Sequence, residues 1–399
     1  MPNRKRLNSF ENILIVAGEH SGDLLAGPLV RELKFAYPEW VFFGVAGESG
    51  IKQGIETIEV LENLAVIGFS EALTKYRFLK RVFQKLLIAI EARNPRLAIL
   101  IDYPGFNLRL AEELKKRKIP VVFYVSPQIW AWKFKRIYRI KNTVDLMLTL
   151  FRFEEEIYKG YGVKAKHVGH PLVDRIPEKL IEERAKLGVL PPAPKKIALL
   201  PGSRKGEIRK LTPHLLKASA EIAKEFPNSL FLLPNINQGE EDYLLKAIGK
   251  IQKENPSLAI RYSFGTSLAI MDTCDILLIA SGTATLEGLY FQKPMIILYK
   301  VSWFTYLLGA LMIRTSQIGL ANILSGEEVC VELVQSECRS PFISREAVRL
   351  LKNPNYYNKI SEKLKETKSR ELGGRDSTRR AFASIRDFWE GFKIDHSSF

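Results

Sequence analysis

Short apolar runs, rich in β-branched residues, recur along the first half of the chain at Ile13–Val16, Val41–Val45, Leu97–Ile101, Val121–Val125 and Leu146–Leu150. Each is of strand length and nearly unbroken by polar residues, which predicts strands buried on both faces. Between them lie stretches with helical spacing, such as Leu24–Ala36 and Leu108–Lys118. Strands alternating with helices in this way predict parallel sheets covered by helices on either side. The alternation pauses over Pro177–Lys196, which ends in the proline-rich joint Leu190-Pro-Pro-Ala-Pro194. It restarts at Ile197–Leu200, Leu230–Leu233, Leu258–Tyr262, Ile276–Ile279 and Met295–Tyr299. The pattern predicts an α/β chain of two facing Rossmann-like domains with a cleft between them, residues 1–180 and 195–369. The tail 370–399 is charged and helix-prone, and is expected to pack back on the first domain.

Composition narrows this picture. Of 399 residues, 46% are hydrophobic and 26% charged, which excludes a disordered chain and supplies enough apolar surface for two cores. Three cysteines, Cys274, Cys330 and Cys338, form neither an even framework nor a CxxC pair, as expected in a reducing cytoplasm. No run matches a signal-peptide core or a membrane span; the nearest, Val301–Ile313, is interrupted by Ser302, Thr305 and Gly309. The formal net charge of +16 points to an acidic partner: nucleic acid, anionic lipid or a phosphorylated substrate. Cations and aromatic residues interleave over Lys75–Lys85 and Lys133–Lys141, which keeps RNA on the list, although no RNA-binding module accompanies them.

In parallel sheets, ligands collect beyond the carboxyl ends of strands. The first such end opens a helix at Ala17-Gly-Glu-His-Ser-Gly-Asp23. It is not GxGxxG, and its carboxylates Glu19 and Asp23, with Ser21, suit sugar hydroxyls better than a phosphate; a glycine turn with a helix cap is the ordinary alternative. The second end is Ile101-Asp-Tyr-Pro-Gly-Phe-Asn107. Asp102 follows a buried strand, where desolvation raises a carboxyl pKa and makes it a candidate general base; Asn107 caps the next helix or binds substrate. The third, Tyr124-Val-Ser-Pro-Gln-Ile-Trp-Ala-Trp132, offers Ser126, Gln128 and Trp130 for sugar faces or acyl chains, unless its aromatic residues are core.

The second half carries an anion-binding pattern. Leu200-Pro-Gly-Ser-Arg204 leaves a strand through a glycine turn, with Ser203 and the fork of Arg204 suited to a diphosphate. Ala280-Ser-Gly-Thr-Ala-Thr-Leu-Glu287 starts a helix whose Ser281, Gly282 and Thr283 suit phosphate oxygens, while Glu287 suits ribose hydroxyls. Histidines 20, 167, 170, 214 and 396 lack metal-ligand spacing and no DxD occurs, so no metal is expected.

Taken together, these motifs resemble those of lipid-A-disaccharide synthases, inverting glycosyltransferases of Gram-negative outer-membrane biogenesis. The matching stretches stand in family order: AGEHSGD (17–23), IDYPGFN (101–107), YVSPQIWAW (124–132), GHP (169–171), LLPGSR (199–204), ASGTATLE (280–287) and ANIL (321–324). Gly105 stands where the family usually has an acidic residue, and Ala321 where it has proline before Asn322. The resemblance implies a GT-B fold that joins UDP-2,3-diacylglucosamine to 2,3-diacylglucosamine 1-phosphate (lipid X), releasing UDP. It implies no cofactor and no nucleic acid, and admits a homodimer. The first domain is then acceptor-binding and membrane-facing, the second UDP-sugar-binding, with Asp102 and Arg204 catalytic and Asn322 on the sugar. Another GT-B enzyme, such as a muramyl-type transferase or an epimerase, is the alternative. An NAD-linked oxidoreductase lacks its GxGxxG.

Acylated substrates imply a cytoplasmic chain held at the anionic cytoplasmic face of the inner membrane. From Leu64 to Ile90 one helical face is apolar and the remainder basic; Leu64, Val66, Ile67, Phe69, Leu79 and Phe83 are the expected membrane contacts, with a core helix as the ordinary alternative.

Overall fold

The computed structural model describes residues 10–60, 72–301 and 317–396. Seven strands form the first sheet: β1 (Glu11–Ala17), β2 (Trp40–Ala46), β3 (Glu56–Val60), β4 (Leu97–Ile101), β5 (Val121–Tyr124), β6 (Leu146–Thr149) and β7 (Ala165–His167). Six form the second: β8 (Lys196–Leu200), β9 (Leu230–Asn235), β10 (Ala259–Phe264), β11 (Ile276–Ala280), β12 (Met295–Tyr299) and β13 (Glu332–Val334). Every predicted apolar run is a strand; all but β10, an edge strand with no fully buried residue, lose both faces to covering helices. The strands β3, β7 and β13 were not legible as apolar runs. They lie at or near sheet edges, where one side meets solvent and the continuous apolar signature is not required.

All pairings are parallel, in the orders β3-β2-β1-β4-β5-β6-β7 and β10-β9-β8-β11-β12-β13. In each sheet the order reverses once, between β1 and β4 and between β8 and β11. Loops leaving two such strands diverge to opposite faces and open a crevice at the carboxyl edge. Register places the exits side by side: Ala17 pairs with Ile101, and Leu200 with Ile279.

The chain forms two compact units: Met1–Pro171 with Gly373–Phe399, and Leu172–Leu372. The first thus ends before residue 180. The helix Leu172–Leu187 belongs to the second unit because its buried Glu183 accepts the backbone N–H groups of Leu268 and Ala269, at 2.6 and 3.2 Å. The C-terminal helix Ser377–His396 packs in the first unit, where Trp389 (1% exposed) meets Trp40 edge to face at 5.7 Å.

The helix Ala72–Arg93 corrects part of the membrane expectation. Val82, Leu86 and Ile90 are core, and Leu79 and Phe83, partly buried, pack against that core. Phe83 lies edge to face with Phe106 at 5.5 Å. Leu64, Val66, Ile67 and Phe69 lie outside the described residues. Among those described, no helix is long and apolar enough to cross a membrane.

Trp389→Ala is expected to destabilise the first unit by about 3–5 kcal/mol through the cavity it leaves. In denaturant unfolding this should appear as an early transition of the first unit, with the transition of the second unit unchanged.

Candidate functional site

The first unit's crevice is built around a bent backbone. Asp102 and Tyr103 follow β4 with φ of 54° and 48°, in the left-handed region that non-glycine residues seldom occupy. The bend is held from behind by Asn107, which is fully buried. Its amide Nδ2 donates to the carbonyls of Asp102 (2.7 Å), Ile101 (3.2 Å) and Val16 (3.4 Å), tying the ends of β1 and β4 together. Asn107 is therefore a strut beneath the site through its amide nitrogen, while its Oδ1 is buried without a hydrogen-bond partner among the described residues. Gly18 is needed for a related reason: a Cβ there would sit 2.4 Å from the Tyr103 ring.

The Asp102 carboxylate accepts the Tyr103 N–H at 2.8 Å and is hydrogen-bonded by Ser21. Burial nonetheless raises its pKa above the ordinary aspartate value, the two hydrogen bonds acting the other way. A desolvated carboxylate at a crevice is equipped to take a proton. Glu19 and Ser21 are exposed beside it. Val125, leaving β5 at φ 70°, adds a third strained residue to the same sheet edge.

Two expected sugar ligands are structural. Asp23 is 2% exposed. Its oxygens accept the N–H groups of Gly47 (2.8 Å), Ser49 (2.8 Å) and Gly50 (3.0 Å), so it anchors the turn after β2. Asn322 is fully buried. It donates to the Cys330 carbonyl (2.6 Å) and Glu332 (2.8 Å) and accepts from Val329 (3.0 Å) and Cys330 (2.9 Å), leaving no group for a ligand.

The loop after β5 is pinned from below by residues that sequence reading missed. Trp130 Nε1 donates to Glu154 at 3.1 Å, and the Tyr158 hydroxyl to the Pro127 carbonyl at 3.0 Å. Glu154 is buried, and desolvation lifts its carboxyl to about 7 against the hydrogen bond from Trp130. Trp130 thus faces this network, Ser126 is buried, and only Gln128 of the three is exposed. Nothing in the local sequence distinguishes Glu154 from a surface helix residue.

In the second unit, a pocket of about 290 Å³ opens over β8 and β11. Gly202, Ser203 and Arg204 line one side, and Ser281, Gly282, Thr283 and Glu287 another. Gly202 has φ 104°, and a Cβ would meet the Glu207 carboxylate at 2.5 Å. The Arg204 side chain is 84% exposed and pairs with Glu207 at 3.1 Å, a contact weak enough to be exchanged for an anion. The helix Thr283–Tyr290 presents the N–H groups of Thr283 and Ala284, which have no carbonyl partners within the helix, while that of Thr285 bonds the Gly282 carbonyl at 3.1 Å. Ser281 departs from expectation. Its N–H bonds the Leu298 carbonyl at 2.8 Å and its hydroxyl the Ile318 carbonyl at 3.3 Å, so it shapes the turn.

Glu287 is pushed up to about 7, chiefly by burial, with Lys179 opposing. Near neutrality such a carboxyl can both donate and accept. Lys179 and Glu183 also line the pocket. They come from the helix that precedes the proline-rich joint, and only the fold reveals their proximity. Among the described residues no cluster of His, Cys, Asp and Glu is arranged to hold a metal.

Comparison with known proteins bears on the fold and on the family. Solved structures sharing the fold include UDP-GlcNAc 2-epimerase from Neisseria meningitidis bound to UDP-GlcNAc, with TM-score 0.60 and 12% identity over 94% of this chain and 100% of that one. A spinosyn rhamnosyltransferase aligns with TM-score 0.51 and 13% identity, covering 95% and 99%. At such identities these likenesses establish the GT-B-type pair of Rossmann-like units and nothing more specific. Sequence relatives go further. The lipid-A-disaccharide synthase of Geobacter sulfurreducens is 37% identical over 367 residues, 91% of this chain and 94% of that protein. That of Coxiella burnetii (strain Dugway 5J108-111) is 39% identical over 359 residues, 89% and 93%. The family model for lipid-A-disaccharide synthetase matches residues 13–385. The expected alternatives, another UDP-sugar enzyme or an RNA-binding module, have no such support, and the chain belongs to the lipid-A-disaccharide synthase family.

Proposed function

We propose that Asp102 is the general base of the family's glycosyl transfer and that the second unit's pocket holds the UDP of the donor. The supporting observation is the placement of a desolvated carboxylate at one sheet's switch point and an anion-suited pocket at the other's. The acceptor is 2,3-diacylglucosamine 1-phosphate and the donor UDP-2,3-diacylglucosamine. As the acceptor's 6-hydroxyl attacks the donor's anomeric carbon, its proton passes to Asp102. The new C–O bond forms as the bond to the diphosphate breaks, with inversion, and UDP leaves. Asp102 then returns the proton to water.

Arg204 and the first-turn N–H groups of the helix Thr283–Tyr290 take up the charge that develops on the departing diphosphate. On this reading, Arg204 exchanges Glu207 for UDP. Glu287 bridges the ribose hydroxyls, accepting a hydrogen bond from each. The first unit is acceptor-binding, with Glu19, Ser21 and Gln128 exposed toward the sugar. The chain meets its acylated substrates at an anionic membrane surface. Arg77, Lys80 and Arg81, exposed on the helix Ala72–Arg93, and the cations around Trp132 support that association.

Asp102→Asn retains shape without basicity, and kcat is expected to fall by about 10²–10⁴ with UDP affinity unchanged. Near-normal turnover in the folded variant counts against the base assignment. In the wild type, kcat/KM should decline as pH falls through the raised pKa of Asp102, because protonation removes the base. That acidic limb should lie above the ordinary aspartate range and be absent from the residual activity of the Asn variant. Arg204→Ala should weaken UDP binding by about 10- to 100-fold in calorimetry, the scale of a lost charge-assisted contact. Replacing Arg77 and Arg81 together by Gln should weaken binding to anionic vesicles by about 30-fold at low salt, at about 1 kcal/mol per cation. Unchanged vesicle binding assigns the association elsewhere.

A further inference from the structure

A second cavity lies beside Asp102, in the first unit, and the transfer mechanism makes no use of it. It has a volume of about 380 Å³, within the range of small-molecule sites. The helix Ala72–Arg93 supplies Tyr76, Leu79 and Phe83 to one wall, and Tyr103 and Phe106 form the other. Ring contacts fix the walls: Phe83 meets Phe106 edge to face at 5.5 Å, and Tyr103 stacks on Phe106 at 6.0 Å. Two cations, Lys80 and Arg109, complete the lining, and both are exposed. Apolar walls with cations at the rim complement an anionic amphiphile. A neutral sugar has no use for the former, and a free nucleotide none for so little polar surface.

Gly105 is the opening in this lining. A Cβ built there meets nothing within 4 Å, so the backbone has room for a side chain and carries none. Its neighbour Tyr103 both lines the cavity and donates its N–H to Asp102. A ligand seated in the cavity therefore reaches the reacting carboxylate through one residue.

We infer that this cavity seats one acyl chain of the acceptor, and that Lys80 and Arg109 on its rim bind the acceptor's phosphate. The inference rests on the reading of Asp102 as the base that receives the acceptor's proton. It adds an account of acceptor selection: chain length is read by the cavity, and phosphorylation by the two cations. Seating the chain and the phosphate together orients the sugar with its 6-hydroxyl toward Asp102.

The test uses the full chain with a fixed donor and a set of acceptors: long or short acyl chains, with or without the phosphate. For the wild type, KM is expected to rise by about fourfold for each methylene withdrawn from the cavity. Gly105→Phe fills the space and should raise KM at least tenfold for the long-chain acceptor, while the short-chain acceptor changes less than twofold. Gly105→Ala should leave both within twofold, and Gly105→Leu serves if the Phe variant loses its unfolding midpoint or UDP affinity. Arg109→Gln should raise KM about tenfold for the phosphorylated acceptor and leave the dephosphorylated one unaffected. Equal responses of long and short chains to Gly105→Phe and Gly105→Leu, or a response to Arg109→Gln independent of phosphate, overturns the inference. Failure of the base assignment is read separately, as retained kcat in Asp102→Asn, since chain-length effects appear in KM.

Discussion

The whole first-unit site depends on one buried amide. Asn107 Nδ2 faces three carbonyl oxygens at the ends of β1 and β4, and those carbonyls can converge only if the backbone after β4 turns through the left-handed region. Each residue so held costs about 1–3 kcal/mol, which the surrounding hydrogen bonds must offset. The turn directs the Asp102 carboxylate toward the crevice and lays the Tyr103 ring on Gly18. A side chain at 18, or a shorter residue at 107, removes a support that no neighbouring group replaces. The chemistry proposed for Asp102 is thus inseparable from the geometry of Asn107.

The two units reach similar ends by different electrostatics. In the first, a carboxylate is kept poorly solvated, which raises its pKa. In the second, an exposed guanidinium is held by a carboxylate three residues away, and a helix start presents unpaired N–H groups. Low dielectric strengthens the first arrangement, while solvent exposure keeps the second exchangeable. The base proposed for the first has to hold its place through turnover, whereas the leaving-group site proposed for the second has to release its product.

Much of this was legible in the chain because parallel strands buried on both faces have to be apolar throughout. β1, β4, β8 and β11 carry that signature, and motifs following them fall at the switch points. Edge strands such as β13, with Glu332 and Val334 half-exposed, carry no such signature. The polar residues were less readable. Asp23, Asn107 and Asn322 occupy motif positions like those of true ligands, yet each spends hydrogen bonds on the surrounding backbone, and composition cannot distinguish a clamp from a contact. Glu154, Lys179 and Glu183 lie outside the recognised stretches and reach their sites only through folding. Leu79 and Phe83 had the spacing of either a core or a surface helix, and periodicity alone does not choose between them.

The discontinuity of the first unit has a consequence for synthesis. Residues 172–372 form a contiguous body, whereas the first unit closes only with Gly373–Phe399. As the chain leaves the ribosome, the second unit has all its strands before the first has its final helix. Until Trp389 emerges, the surface around Trp40 that it covers remains open to water and to other chains. The nascent protein therefore completes its nucleotide-suited half first, and the half that carries Asp102 is finished last. Premature termination within the last twenty-odd residues (Ser377–His396 is the closing helix) yields a chain with an intact second unit and an open first one.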